Sequence, residues 1–136
     1  MKPFTRPVVA ALLIAASAPA AAVCGSQLRG AQRIESANYE VAYRTQPAKI
    51  PVGKHFTIDA IACGKGGVAA PSALAVDAFM PDHGHGMNYK ATVKKIANGQ
   101  FHAEGLMFHM PGRWELYFDV PTEGKTERLV HNIVLE

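Results

Sequence analysis

The chain lacks most of the short motifs that define enzyme classes. Its 136 residues contain only two cysteines and one tryptophan, and charged side chains make up just 18% of the sequence. It has no Cys-x-x-Cys pair, no Gly-x-Ser-x-Gly elbow, no His-Glu-x-x-His motif and no glycine-rich phosphate loop. Hydrophobic residues make up 49%, which excludes intrinsic disorder, and the length allows one domain. We therefore expect one folded domain without catalytic activity.

A long apolar segment is also missing, because the only apolar run is Val8–Ala16. It is shorter than the roughly 20 residues that a membrane span needs. Lys2 and Arg6 precede it, and small residues in an Ala-x-Ala pattern follow, which is the composition of a secretory signal peptide. We predict a leader at residues 1–22, a lead-in at 23–37 and a domain at 38–136, in a periplasmic or secreted protein.

A basic surface is absent once the leader is removed. The chain without Lys2 and Arg6 has 12 basic and 11 acidic side chains. Its longest basic cluster, Lys90, Lys94 and Lys95, is too small to neutralise a row of phosphates. The charge pattern therefore predicts binding neither to nucleic acid nor to an anionic membrane, and no small-molecule substrate is evident.

The two cysteines, Cys24 and Cys63, are predicted to form a disulfide, because an exported chain meets an oxidising compartment. For a separation of 39 residues, the chain-entropy model gives such a bond a contribution of about 4 kcal/mol. The alternative is a lipid anchor on Cys24, although Val23 does not suit the position before a lipidated cysteine.

Apolar residues alternate with polar ones in seven short runs, and glycine- and proline-containing turns separate them. Alternation with period two is typical of strands with one buried face. No sustained helical stripe follows the leader. The pattern predicts an all-β, immunoglobulin-like antiparallel β-sandwich of about seven strands, whose runs are Tyr39–Tyr43, Phe56–Cys63, Leu74–Met80, Tyr89–Val93, Phe101–Met107, Trp114–Val120 and Leu129–Leu135.

Methionine and histidine are concentrated in one part of the chain. Four of the five methionines and four of the six histidines lie between Met80 and Met110. Thioether sulfur and imidazole together suit copper, and Cu(I) in particular, better than Mg, Ca or Mn. The predicted ligands are His83, His85, Met87, Met80, His109 and Met110, with Asp82 and Asn88 orienting them.

Simpler interpretations of the same residues stay open. Methionine at a strand end is often a core residue, and the Gly-His-Gly run can be a tight turn. Trp114 is expected in the core. The other three histidines lack nearby ligand-type residues and are expected at the surface or in hydrogen bonds, namely His55, His102 and His131.

Two elements in this order resemble the YtkA-like/FixH-like group of bacterial exported domains. They are Met80-Pro81-x-His83-x-His85-Gly86-Met87 and Met110-Pro111-Gly112-x-Trp114. The resemblance covers about residues 39–135 and implies an immunoglobulin-like sandwich outside the cytoplasmic membrane. FixH-like members are linked to copper supply or to assembly of heme–copper oxidases.

Composition and resemblance together lead to two hypotheses. The first is an exported, non-catalytic domain that binds or delivers copper to a copper-receiving or membrane respiratory protein. The second is a metal-free interaction or assembly module that contacts such a partner.

Overall fold

The computed structural model describes residues 1–3 and 14–136. All nine strands of this part of the chain pair antiparallel with their neighbours, and they form two sheets. The five-stranded sheet has the order β1-β2-β3-β7-β6, and the four-stranded sheet has the order β5-β4-β8-β9. The strands are β1 (Gln32–Glu35), β2 (Tyr39–Gln46), β3 (His55–Gly64), β4 (Ala75–Met80), β5 (His85–Gly86), β6 (Thr92–Ala97), β7 (Gln100–Met107), β8 (Gly112–Thr122) and β9 (Lys125–Leu135).

The hydrophobic core lies between the two sheets and comes from the alternation seen in the sequence. Along β8 the side chains at every second position, from Trp114 to Val120, are buried, and the residues between them are more exposed. Tyr43 of the five-stranded sheet contacts Phe118 of the four-stranded sheet, with ring centroids 4.9 Å apart. The predicted all-β sandwich is confirmed.

Two strands were not predicted, and one was predicted too early. The lead-in contains β1, and the two-residue strand β5 is too short to show alternation. The run predicted at Tyr89–Val93 begins as a strand only at Thr92. Tyr89 packs edge-on against His55 at 4.9 Å, and Lys90 lies 3.6 Å from Asp77, because these residues belong to the connection that crosses from one sheet to the other.

The N-terminal lead-in is attached to the outer face of the five-stranded sheet. Cys24 and Cys63 form the predicted disulfide, with their Cα atoms 6.0 Å apart. Gly25 has a φ of 66°, and a Cβ atom there would lie 2.3 Å from the Cβ of Ala42. This close approach explains why Ala42 is fully buried although it points away from the core. A lipid anchor would need the same sulfur of Cys24, so it is incompatible with this bond.

The predicted leader, residues 1–22, contains all the residues that the structure does not describe. Most of Val8–Ala16 lies outside the described residues, so the signal peptide stays a prediction. Within residues 1–3 and 14–136, no helix is long and apolar enough to cross a membrane.

Candidate functional site

The two segments rich in methionine and histidine meet at one end of the sandwich. β4 and β8 are antiparallel neighbours, and Phe79 near the end of β4 pairs with Glu115 near the start of β8. The turn after β4 therefore lies beside the connection between β7 and β8, which carries His109 and Met110. The amide of Gly84 donates to the carbonyl of Met80 at 2.8 Å and closes the turn.

Three imidazoles form a row across these two segments. The ring centroids of His83 and His85 are 5.7 Å apart, and those of His85 and His109 are 5.1 Å apart. His83 is exposed, whereas His85 and His109 are half-buried. The row thus runs from solvent toward the core. It places His109 beside His85, although the two are far apart in the sequence.

Each of the inner two imidazoles has a ring nitrogen without a hydrogen-bond partner among the described residues. His85 Nδ1 lies 3.0 Å from the carbonyl of Gly86, to which it donates as an N–H group. In the neutral ring this leaves Nε2 with a free lone pair. Nδ1 of His109 is buried and has no hydrogen-bond partner among the described residues. An unpaired buried nitrogen costs about 1–3 kcal/mol, so a ligand at this atom would relieve a penalty.

Trp114 lies beneath the row and is fully buried, as predicted. Its ring stacks on Phe108 at 4.7 Å and packs edge-on against His109 at 5.4 Å and His85 at 6.3 Å. Its Nε1–H donates to the carbonyl of Met110 at 3.1 Å. This bond fixes the β7–β8 connection and, with it, the position of His109.

The three predicted methionine ligands lie in two environments. Met80 is 0% exposed, and a Cβ atom added to Gly112 would lie 2.9 Å from its Cε. Its thioether therefore packs inside the core. Met87 and Met110 are only partly buried and pack against the core.

Asp82 and Asn88 were predicted to orient the ligands, and the structure gives Asp82 a different partner. Its Oδ1 accepts a hydrogen bond from Nη2 of Arg113 at 3.2 Å. Arg113 also donates to Oδ1 of Asn132 at 3.3 Å, which ties the turn to the outer face of the four-stranded sheet. Asn88 is exposed. Sequence reasoning missed Arg113, because only strand register brings it to the turn.

The three histidines expected outside the cluster are hydrogen-bonded. His55 contacts the carbonyl of Leu106 at 3.3 Å, and His131 pairs with the hydroxyl of Tyr43. His102 donates to Asp59 at 2.8 Å. That bond lowers the pKa of the Asp59 carboxyl below its ordinary value, and the Arg44 guanidinium lowers it further.

The geometry limits the kind of metal site that the row of imidazoles can form. Two imidazoles that share a metal at bonds of about 2.0 Å have ring centres roughly 5–6 Å apart, which both observed spacings satisfy. No group of three or more His, Cys, Asp or Glu side chains within the described residues is arranged to hold a metal ion. A metal site at this row would therefore have no more than two of these four side-chain types as ligands within the described residues.

The comparisons with known proteins give one structural neighbour and one family match. No curated protein matches the chain. A crystal structure of a DUF4426 family protein from Pseudomonas aeruginosa aligns with 80% of this chain and 98% of its own, at 11% sequence identity and a TM-score of 0.48. The profile of the YtkA-like family matches residues 34–119, which includes both parts of the imidazole row. The chain therefore belongs to the YtkA-like family.

Proposed function

We propose that this protein is an exported, non-catalytic domain that binds Cu(I) at the end of the sandwich formed by the β4–β5 turn and the β7–β8 connection. The observation that supports this most directly is the buried Nδ1 of His109, which lies beside the ring of His85 and has no hydrogen-bond partner in the part of the chain that the structure describes. These two imidazoles are the primary ligands in the proposal. Copper would supply the missing partner of the His109 nitrogen.

The other predicted donors of the same two segments favour copper over harder metals. Met87 and Met110, which are partly buried, offer thioether sulfur, and thioether selects soft ions such as Cu(I). The tautomer of His85 that is fixed by Gly86 keeps its Nε2 lone pair free, as a metal ligand requires. Met80 contributes in this proposal by packing under the site.

The exposure of His83 suggests how copper would enter or leave. It stands 5.7 Å from His85 and is open to solvent. In this proposal a metal ion passes from solvent to His83 and then to His85, and it reaches the buried Nδ1 of His109 when the side chains around that atom move. Delivery to a copper-receiving or membrane respiratory protein is the role that this gradient of exposure fits best.

Export is part of the proposal. A structural disulfide suits an oxidising compartment such as the periplasm, and the charged and apolar start of the chain suits a signal peptide. Mass spectrometry of the exported protein tests both, because it reports the N-terminal residue and the Cys24–Cys63 bond.

The decisive experiment is a Cu(I) titration against a competing chelator, with fluorescence of the single tryptophan as a second readout. We expect His85→Ala and His109→Ala to weaken binding roughly tenfold or more, since changes around metal ligands commonly cost that much. Copper should also change the emission of Trp114, which contacts both rings. His102→Ala is the matched control, because its ring belongs to the Asp59 pair. Unchanged affinity in both ligand variants would refute the assignment.

The second hypothesis, a metal-free interaction module, is favoured by one observation. The described residues contain no three-ligand group of the usual metal-binding side chains. In that case the exposed turn at Asp82–Gly84 presents its shape and hydrogen-bonding groups to a partner. This alternative predicts that neither Cu(I) nor Zn²⁺ alters Trp114 emission or thermal unfolding.

A further inference from the structure

A cleft of about 590 Å³ opens between the edges of the two sheets, away from the imidazole row. One wall consists of the consecutive residues 131–136, most of which belong to β9. The other wall includes Gln32 of β1 and Tyr43 of β2, and the loop residues Lys49 and Ile50 close one end. Its volume lies within the range of ordinary ligand sites.

The cleft exists because β1 and β9 converge at one end only. The carboxylate of Glu127 on β9 accepts hydrogen bonds from the amide of Asn38 at 2.8 Å and from its Nδ2 at 2.9 Å. It also accepts a short bond from the Ser36 hydroxyl. These bonds hold the two sheets together beside the end of β1. Further along β9, beside Gln32, the two edges stand apart.

Core-facing side chains of β9 are left partly uncovered in this gap. Leu129 is buried, but the next residues on the same face, His131, Ile133 and Leu135, are only half-buried. Ile133 and Leu135 pack against the core from the side of the cleft. The floor is apolar at these positions, and its polar pair, Tyr43 and His131, is already satisfied by a mutual hydrogen bond.

The wall formed by β9 is a backbone edge as well as an apolar surface. β9 is the last strand of its sheet, and the residues that line the cleft are consecutive rather than alternate. A lining of consecutive residues means that the strand presents its edge, with unpaired amide and carbonyl groups. Such an edge selects a ligand that itself carries alternating backbone donors and acceptors. A lipid chain would cover the apolar floor but leave these groups unpaired.

We propose that this cleft binds an extended peptide segment of a partner protein, which adds as a strand along residues 131–135 of β9. The segment would span roughly 14 Å, the length of five residues in a strand. Its alternate apolar side chains would cover Ile133 and Leu135, and its other side chains would face solvent. The inference stands independently of copper binding, because no predicted copper ligand lines the cleft.

Titration of the ¹⁵N-labelled full chain with a short synthetic peptide of alternating valine and threonine tests this directly. We expect amide shift changes concentrated at residues 131–135 and at Gln32. The control peptide has the same side chains but is N-methylated at alternate residues. It should bind about tenfold more weakly or worse, because several backbone hydrogen bonds of about 1 kcal/mol each are lost. Equal binding of the two peptides, or no shift change with either, overturns strand addition.

A matched pair of variants locates the site on the protein. Ile133→Lys places a charge on the cleft floor and should abolish the shift changes, whereas Val130→Lys, on the opposite face of β9 and already 42% exposed, should preserve them. Circular dichroism tests whether both variants are folded. If Ile133→Lys does not fold, the comparison of the two peptides on the parent chain still tests the proposal. Occupation of the cleft by dodecanoate but not by the peptide, or by a second copy of the chain in sedimentation experiments, would also contradict the proposal.

Discussion

Replacing both cysteines by serine should remove a large part of the stability of this domain. The Cys24–Cys63 disulfide closes a loop with a sequence separation of 39 residues. In the chain-entropy model, removing this bond gives the denatured chain more conformational freedom and lowers its free energy by about 4 kcal/mol at 25 °C. Domains of this size have free energies of unfolding of only about 5–15 kcal/mol. We therefore expect Cys24→Ser/Cys63→Ser to lose from a quarter to most of the total.

Urea denaturation followed by the fluorescence of the buried Trp114 measures this loss. The midpoint should fall, and the m-value should rise, because the open chain exposes more surface when it unfolds. Cys63→Ser alone is the control, and it should match the double variant if the constraint is what matters. A loss of less than about 1 kcal/mol, or an unchanged m-value, would refute the entropic account for this bond.

Three further perturbations test the packing and the electrostatics. Met80→Ala removes a side chain that is 0% exposed, and it should lower the free energy of unfolding, measured in urea, by about 2–5 kcal/mol. A smaller loss would mean that the core collapses around the gap. Gly25→Ala should lower Tm, since a Cβ there would lie 2.3 Å from that of Ala42 at a φ of 66°; an unchanged Tm would mean that the lead-in shifts freely. The hydrogen bond from His102 lowers the pKa of Asp59 in the folded state. The ionised Asp59 carboxyl therefore adds to the free energy of unfolding above its unfolded-state pKa, and this stabilisation is lost as pH falls through its folded-state pKa. The parent should therefore lose stability in acid more steeply than Asp59→Asn, and parallel pH profiles would contradict this.

Strand prediction succeeded where one face of a strand is buried. Trp114, Leu116 and Phe118 alternate with polar residues, because period two in the chain is the same as one face of a sheet. It failed at β1 and β5, which lie at sheet edges and bury little, so their sequences are not required to alternate. The disulfide was predictable because only one pairing of two cysteines exists.

The candidate site, like the fold, was predictable only in part. The imidazole side chains of His83, His85 and His109 can be read from the sequence, and so can the kind of metal ion that imidazole favours. Their spacing is not, because it depends on how β4 pairs with β8 and on where the β7–β8 connection crosses between the sheets.

What the sequence determined alone was the class of fold, the cysteine pair and the short list of donor atoms, since each depends on residue type and on local periodicity. Tertiary structure decided where each of these donors lies. It buried the Met80 side chain in the core, paired Asp82 with Arg113 and left the Nδ1 atom of His109 without a partner among the described residues. It also left the cleft beside β9 open. These outcomes depend on contacts between residues far apart in the chain, which no local pattern encodes.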